Sequence, residues 1–530
     1  MLACTAVQAC TSIVVSRGAS SDGSLIVTYS ADAPFMPKLS RIPGGSYPPG
    51  TMVEVRGWED DQIRGKVRQA EHTYTVVGLM NEHQLSLGET TTGGRRELVN
   101  RKGQLDYDGL MLLTLQRAKT AREAIAIIDA LCKEYGYGSS GETFSIADKY
   151  EAWIMELIGK GPGVKGIVWV AARVPEGFIT CHANMSRITT FPLHDPDNWL
   201  YSPDVITFAV EKGYYKTDAG KPFSYRDAYH PDQGPGQKRA CAGRVWSICR
   251  RAAPSRQFSD GYFRGVEGAE DYPLFVKPDQ PLAVSDVMAL MRDHFEGTPY
   301  DMTKGVDAGP FGSPLRLRDL AFSVEGKNYM WERPISTQQA GFVVVTQSRS
   351  TLPDAVGGVT WFTPDEASTS CFTPLYCSID ALPEAYTRGD YRKFSWDSAW
   401  WVTNLVSNLA YDRWSRVWPD IRQAQHEQEA ALRKMQPVIE ETAVKLATSD
   451  PVLMRSFLTN YSVSTGDAVF RRWQDLATAI LTKHVDGYVK DAKGSPRAPG
   501  YSSDWLREVV KSRPTQFKLP ENRHPSEADH

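Results

Sequence analysis

Several features that would point at once to a function are missing from this chain of 530 residues. No stretch of about 18 apolar residues occurs, so the sequence contains no candidate membrane span. The 60 Lys and Arg nearly balance the 63 Asp and Glu, giving a net charge of −3. With neither a basic excess nor a run of like charge, the sequence does not predict nucleic-acid binding. What remains is a globular composition and a length sufficient for several domains or one elaborate core.

Sequence motifs of the common hydrolases and metalloenzymes are also absent. No GxSxG marks a strand-turn-serine elbow. No CxxC occurs, and the ten histidines show no ligand spacing, so we expect no metal site. The stretch "GYGSSG" at 136–141 matches GxGxxG, but it follows a predicted helix and precedes a strand, the reverse of a dinucleotide site. We therefore expect no cofactor.

The hydrophobic pattern predicts layers of α and β structure. Strands are predicted at 11–15 and 25–28, on either side of the turn Ser21-Asp22-Gly23-Ser24. A helical pair follows, and Thr120 with Glu123 forms a capping box at the start of its second helix. Strands then return, and the chain becomes helical from about Asp397, including a charged, solvated helix interrupted near Pro437. This order favours an α+β fold over strict βαβ alternation.

The N-terminus carries a candidate processing site. Val7-Gln8-Ala9 has the small-x-small pattern at which signal peptides are cut, and the cut would fall just before Cys10. We interpret residues 1–9 as the end of a leader and expect an exported protein, periplasmic or secreted. The alternative is an unstructured N-terminus with chance alanines.

A cysteine at the start of a mature chain has a catalytic use. Cysteine attacks as thiolate, and its ordinary pKa of about 8.5 leaves little thiolate at pH 7, so it needs a base. A free α-amino group has a pKa of about 7.7–8.0 and can act as that base, whereas an amide nitrogen cannot. Removal of the leader would therefore activate Cys10. The alternative is a small buried core cysteine.

Longer stretches resemble a known family. The opening "CTSIVVSRGASSDGSLIVTYSADA" is similar to that of the cysteine-type dipeptidases of the dipeptidase A family. Further matching stretches are "VVGLMNEHQLSLGETT", "SSGETFSIADKYEAWIMELIGKGPGVKG", "HANMSRI", "HFEGTPYD" and "ERPISTQQAGFVVVTQSRS". That family belongs to the N-terminal-nucleophile hydrolases, with penicillin V acylase and bile salt hydrolase. The chain most resembles exported versions from Bacteroidetes-type bacteria.

The resemblance implies a fold and an activity. It implies an αββα sandwich, two stacked antiparallel sheets between helical layers, with the nucleophile at the start of the first strand. It also implies metal-free cleavage of dipeptides with broad side-chain tolerance. We expect a catalytic domain over 10–380 with loop insertions, and a mainly helical region over 381–530 packed on it.

The resemblance also assigns roles to individual residues. Cys10 matches the nucleophile, and Asp32 matches the acid that orients its thiol and amine. Relatives carry an arginine shortly before this acid, but Thr28-Tyr29-Ser30 stands here, so the thiolate needs another cation. Asn81 matches an oxyanion-hole amide, Asn184 a second asparagine near the amine, and Arg244 a late active-site arginine. From the residues alone, Asn81 is equally explained as a turn residue that tolerates the left-handed conformation.

A dipeptidase must also recognise both charged ends of its substrate. We expect Glu82 or Glu89 to pair with the amine, and Arg244 or Arg187 to pair with the carboxylate. Two other functions remain open at this point, an amide acylase of the same fold and a peptide-binding surface lipoprotein acylated at Cys10. The sequence leaves the oligomeric state open, a homo-oligomer included.

Overall fold

Two antiparallel sheets form the centre of the structure, a computed structural model that describes residues 10–33, 35–56, 62–218, 220–231 and 233–519. The predicted leader, residues 1–9, lies outside the described residues. Sheet I has the strand order Ile179–His182, Ser12–Val15, Leu25–Asp32, Ala340–Ser348, Val359–Pro364 and Thr373–Tyr376. Sheet II has the order Trp199–Tyr201, Ile167–Arg173, Ala152–Gly159, Gly141–Ala147, Ser86–Gly93, Met80–Asn81, Val76–Val77 and Arg41–Ile42.

The two sheets stack face to face. Val14 and Val27 of sheet I share one buried cluster with Ile154 and Val168 of sheet II. Neighbouring residues on each strand point to opposite faces, so Ile13 and Val15 face away from sheet II. The sheets approach closely at Gly88, where a Cβ atom would lie 3.0 Å from the carbonyl oxygen of Thr28.

Helices cover the outer face of each sheet. Tyr107–Leu115 and Ala121–Tyr135 pack their apolar residues on sheet II. The predicted capping box at Thr120 and Glu123 is present. Gly243–Ala252 and Val284–Leu290 share the buried cluster of sheet I. The predicted mixed α+β fold is thus confirmed, in the order helix, sheet, sheet, helix.

Shorter elements complete the described chain. Two-stranded ribbons pair Gly45–Ser46 with His72–Thr73, Met52–Arg56 with Ile63–Arg68, Ala321–Val324 with Lys327–Met330, and Val489–Lys490 with Pro496–Arg497. The remaining short α-helices are Thr207–Glu211, Tyr225–Tyr229, Pro235–Gln237, Gly261–Arg264, Asp354–Gly357 and Ser503–Ser512. A π-helical turn, Lys238–Ala242, joins Pro235–Gln237 to the helix that begins at Gly243.

The C-terminal region is built from three longer helices, Ala399–Asp412, Trp414–Ser449 and Pro451–Lys483. The prediction of a solvated helix broken near Pro437 is wrong, because Trp414–Ser449 continues through that proline. One of its faces is buried and polar. Glu429 Oε1 lies 2.5 Å from Arg292 Nη2, and Glu440 Oε1 lies 2.7 Å from Arg349 Nη1. These buried ion pairs connect the helix to the core.

None of the helices in the described ranges is both long and apolar enough to cross a membrane. The boundary near 380 stays a prediction.

Candidate active site

Cys10 lies at the start of the strand Ser12–Val15, inside sheet I. This strand pairs with Leu25–Asp32 on one side and Ile179–His182 on the other. The Cys10 side chain is therefore buried, with 2% of its surface exposed. Its Sγ lies 3.4 Å from Glu89 Oε1 and 3.8 Å from the Tyr29 hydroxyl, and Tyr29 itself donates to Glu89 Oε1 at 2.6 Å.

Asn184 and Arg244 hold the backbone of Cys10. The Cys10 N–H donates to Asn184 Oδ1 at 2.9 Å, and the Cys10 carbonyl accepts from Arg244 Nη1 at 2.7 Å. Arg244 also donates from Nη2 to Asn184 Oδ1 at 3.0 Å, so the three residues form one network. Asn184 has a φ of +57°, a left-handed conformation that asparagine tolerates better than most residues. The structure thus brings three of the sequence-predicted catalytic residues together.

Arg244 is a fully buried guanidinium. Burial lowers its pKa to about 10, so the group stays cationic at neutral pH. It comes from the helix Gly243–Ala252, whose other side packs in the sheet I cluster. A cation fixed in this way stabilises negative charge near Cys10 without having to reorganise.

Asp32 is the last residue of the strand Leu25–Asp32 and belongs to the same cluster. Its Oδ2 lies 3.0 Å from Arg333 Nη2, and both side chains are almost completely buried. Burial raises the pKa of Asp32, while Arg333 and Arg244 oppose that rise. Arg333 thus places a cation beside Asp32, where the preceding Thr28-Tyr29-Ser30 supplies none. It comes from "ERPISTQQ", far along the chain, and no pattern in the sequence indicates its pairing with Asp32.

The Cys10 thiol is protonated in this environment. Its pKa lies well above the ordinary value, first because of burial and then because of the negative charges of Glu89 and Asp32. A hydrogen bond from the Asp32 backbone and one from Tyr29 oppose this rise. Ionisation of the thiol therefore requires added positive charge beside Glu89 or Cys10.

Glu89 is paired with a second buried carboxyl group, Glu142. The two residues come from the adjacent strands Ser86–Gly93 and Gly141–Ala147, and their carboxyl groups interact electrostatically. Burial and the charge of Glu89 raise the pKa of Glu142 well above its ordinary value. Glu142 therefore holds its proton more strongly than an ordinary carboxyl group. Glu142 lies in the quoted stretch "SSGETF", but sequence alone gives no sign of this pairing.

Asn81 is not part of this cluster, and its prediction as an oxyanion-hole donor is wrong. Its Nδ2 donates to the carbonyl oxygens of Leu115 and Ala118, at 2.7 and 2.8 Å. Its Oδ1 accepts from the backbone N–H groups of His83 and Leu85. Because both N–H bonds are already used, no donor is left for an oxyanion. The turn interpretation explains this residue.

Two of the predicted substrate-binding residues, Glu82 and Arg187, bind backbone groups of segments outside the cluster around Cys10. The partly exposed Glu82 accepts from the Thr75 backbone N–H at 3.2 Å, within the same turn as Asn81. The Arg187 guanidinium is buried and donates to the carbonyl oxygens of Cys181, Tyr272 and Pro273. These contacts link the strand Ile179–His182 to the segment at Tyr272 and Pro273, and they use the Arg187 guanidinium for structural hydrogen bonds. Glu89 is the predicted substrate-binding carboxylate that the structure places beside Cys10.

Within the part of the chain that the structure describes, no group of three or more His, Cys, Asp or Glu is arranged to hold a metal ion.

The chain is similar in sequence to a family of peptidases and to several proteins named as dipeptidases. The family model for peptidase family C69 matches residues 38–427. A probable dipeptidase A of Streptococcus pyogenes serotype M3 is 23% identical over 76% of this chain and 83% of its own length. A probable dipeptidase of Salmonella dublin is 24% identical over 70% of this chain and 81% of its own length. Dipeptidase A of Lactobacillus helveticus is 22% identical, covering 78% and 84%.

Proposed function

The chain belongs to peptidase family C69, and from this premise we propose that it is a dipeptidase whose nucleophile is the Cys10 thiolate. The matched range begins at residue 38, so the assignment of Cys10 depends on the surrounding geometry. The observation that carries the proposal is the Glu89 carboxylate, 3.4 Å from the thiol sulfur.

The base in this mechanism is the α-amino group of Cys10. Once the leader is removed, the nitrogen that donates to Asn184 becomes a free amine with an ordinary pKa of about 7.7–8.0. Asn184 orients it, and it takes the thiol proton and later protonates the leaving amine. Cys10 attacks the scissile carbonyl, and water hydrolyses the acyl-enzyme.

Glu89 supplies a site for the free amine of the substrate. In a dipeptide the ammonium nitrogen is two bonds from the attacked carbonyl carbon, or about 2.5 Å away. A sulfur poised for attack is about 3–3.5 Å from that carbon. The ammonium therefore lies within about 6 Å of Sγ, where a carboxylate 3.4 Å from the sulfur can accept its hydrogen bond.

Binding of the ammonium also prepares the nucleophile. The negative charge of Glu89 contributes to the raised pKa of the thiol. A substrate ammonium neutralises that charge and so favours thiolate formation. Recognition of a free N-terminus and activation of Cys10 are therefore coupled.

This geometry favours a dipeptidase over the two alternatives. An N-acyl amide has no ammonium that could bind the Glu89 carboxylate beside Cys10. A lipoprotein would use the Cys10 sulfur for a thioether to a diacylglyceryl group, and the contacts of the Cys10 nitrogen and carbonyl with Asn184 and Arg244 would then have no catalytic use.

The test compares alanyl-phenylalanine with its N-acetyl derivative as substrates. Glu89→Gln should lower kcat/KM for the free dipeptide by about a hundredfold, since it removes a buried charge that pairs with the ammonium. The same change should not lower turnover of the N-acetyl compound, because removal of the Glu89 charge favours the Cys10 thiolate. Glu82→Gln, in the turn outside the site, is the matched control and should match wild type. Full activity of Glu89→Gln on the free dipeptide would refute the proposal.

Export is part of the same proposal. Val7-Gln8-Ala9 supports it, because a signal-peptide cut after Ala9 would free the Cys10 amine that the mechanism needs. Fractionation of the native host, with detection of the mature chain outside the cytoplasm, tests it. Recovery of all activity in the cytoplasm would contradict it.

A further inference from the structure

A cavity of about 840 Å³ is lined by chain segments that also carry members of the catalytic cluster. One wall is the hairpin formed by Ala321–Val324 and Lys327–Met330, together with Trp331 and Glu332. The opposite wall includes Pro235, Gly236 and Arg239, on the helical segment that leads into Gly243–Ala252. Its volume is in the range of small-ligand sites, about 300–1,000 Å³.

Two chain segments connect this cavity directly to the catalytic cluster. Arg239 lines the cavity, and five residues later Arg244 binds the Cys10 carbonyl. Two residues before Arg239, Gln237 Nε2 donates to the Asn184 carbonyl oxygen at 3.4 Å, so the same segment contacts a second member of the cluster. Glu332 lines the cavity as well, and the next residue, Arg333, holds Asp32. Both walls of the cavity therefore belong to chain segments that contact the catalytic cluster.

One wall of the cavity is aromatic. The Phe322 ring lies 5.7 Å from that of Tyr329 and 4.9 Å from that of Trp331, measured between centroids. Tyr329 keeps 47% of its surface exposed, so the wall retains free apolar area. Such an aromatic surface suits a large apolar or aromatic side chain.

The cavity also carries more positive than negative side chains, although the whole chain has a net charge of −3. Its charged lining residues are Arg239, Arg264, Lys304 and Arg316 against Asp301, Asp307 and Glu332. Arg239 pairs with Glu332, but its buried Nε–H has no hydrogen-bond partner among the described residues. A ligand with a carboxylate fits this balance of charge.

We infer that this cavity is the subsite for the leaving residue of the dipeptide, with the side chain on Phe322 and Trp331 and the free carboxylate at Arg239. The inference rests on the proposed dipeptidase function and names its preferred substrate class, dipeptides with a large aromatic or apolar second residue. The ammonium subsite at Glu89 belongs to sheet II, whereas the cavity follows the segments that carry Arg244 and Arg333. The two ends of one dipeptide thus reach different sides of Cys10.

The test measures kcat/KM for alanyl-phenylalanine and alanyl-glycine with the processed enzyme. Wild type should prefer alanyl-phenylalanine by more than about tenfold, and Phe322→Ala should reduce that preference about tenfold. Val324→Ala, on the same hairpin but outside the cavity lining, should leave it unchanged. Arg239→Gln should reduce the preference for alanyl-phenylalanine over its C-terminal amide, and the exposed Lys327→Gln should not.

Equal kcat/KM for the two dipeptides in wild type, or an unchanged preference in Phe322→Ala, would overturn the inference while leaving the dipeptidase function intact. Failure of wild type to cleave either dipeptide would refute the proposed function instead. Calorimetric titration of free phenylalanine then tests the cavity alone. Binding to wild type that Phe322→Ala abolishes would support the subsite, and absence of binding to wild type would overturn it.

Discussion

Replacing Asn81 by alanine should lower the stability of the protein without lowering its turnover number. The side chain makes four hydrogen bonds to buried or partly buried backbone groups, two as donor and two as acceptor. Each hydrogen bond contributes about 0.5–1.5 kcal/mol, and a buried partner left unsatisfied costs about 1–3 kcal/mol. Because some of these groups can recruit water, we expect a loss of about 3 kcal/mol in the free energy of unfolding.

Asn184→Ala is the matched comparison and should behave in the opposite way. Asn184 Oδ1 accepts from the Cys10 nitrogen and from Arg244, so its loss should misorient the amine that acts as base. We expect kcat to fall by about a hundredfold, a typical cost of disturbing general-base catalysis. Thermal unfolding and steady-state kinetics on both variants separate the two roles. A large loss of kcat in Asn81→Ala, with unchanged stability, would refute this account of the turn.

Three further predictions concern the pH dependence of stability, the pH dependence of activity, and metal ions. Burial raises the pKa of Asp365 to about 8. Between about pH 4 and 8 the folded state therefore holds a proton that the unfolded state has lost. The free energy of unfolding should fall as pH rises through this range. Asp365→Asn should flatten the pH dependence of the unfolding free energy, and an unchanged slope would contradict this reasoning. Arg333→Gln removes the cation beside Asp32 and so raises the pKa of Asp32. The acid limb of the kcat/KM profile should therefore move to higher pH, and Arg333→Lys should show a smaller shift. EDTA should leave activity intact, and a loss that zinc reverses would indicate a metallopeptidase.

The parts of this structure that follow from local sequence were predictable. The hairpin at Asp22 and the capping box at Thr120 depend on residues a few positions apart, and both are present. The resemblance also placed Cys10, Asp32, Asn184 and Arg244, which the fold brings together.

Long-range pairings were not predictable in the same way. Arg333 reaches Asp32 across about 300 residues of chain, and no local pattern at either residue indicates the other. Asn81 was misassigned because a turn asparagine and an oxyanion-hole asparagine look identical until the partners of the amide are known. The polar face of Trp414–Ser449 appeared solvated because its partners, Arg292 and Arg349, lie in distant segments.

The central claim is that a thiolate at Cys10, activated by its own free amine, cleaves dipeptides. The most direct test is the intact mass of the protein purified from its native host, measured on the same sample that hydrolyses a dipeptide. The account predicts a chain that begins at Cys10 with an unmodified amine and thiol. Full dipeptidase activity in a chain that retains the Ala9–Cys10 amide, or that carries a lipid on Cys10, would contradict it.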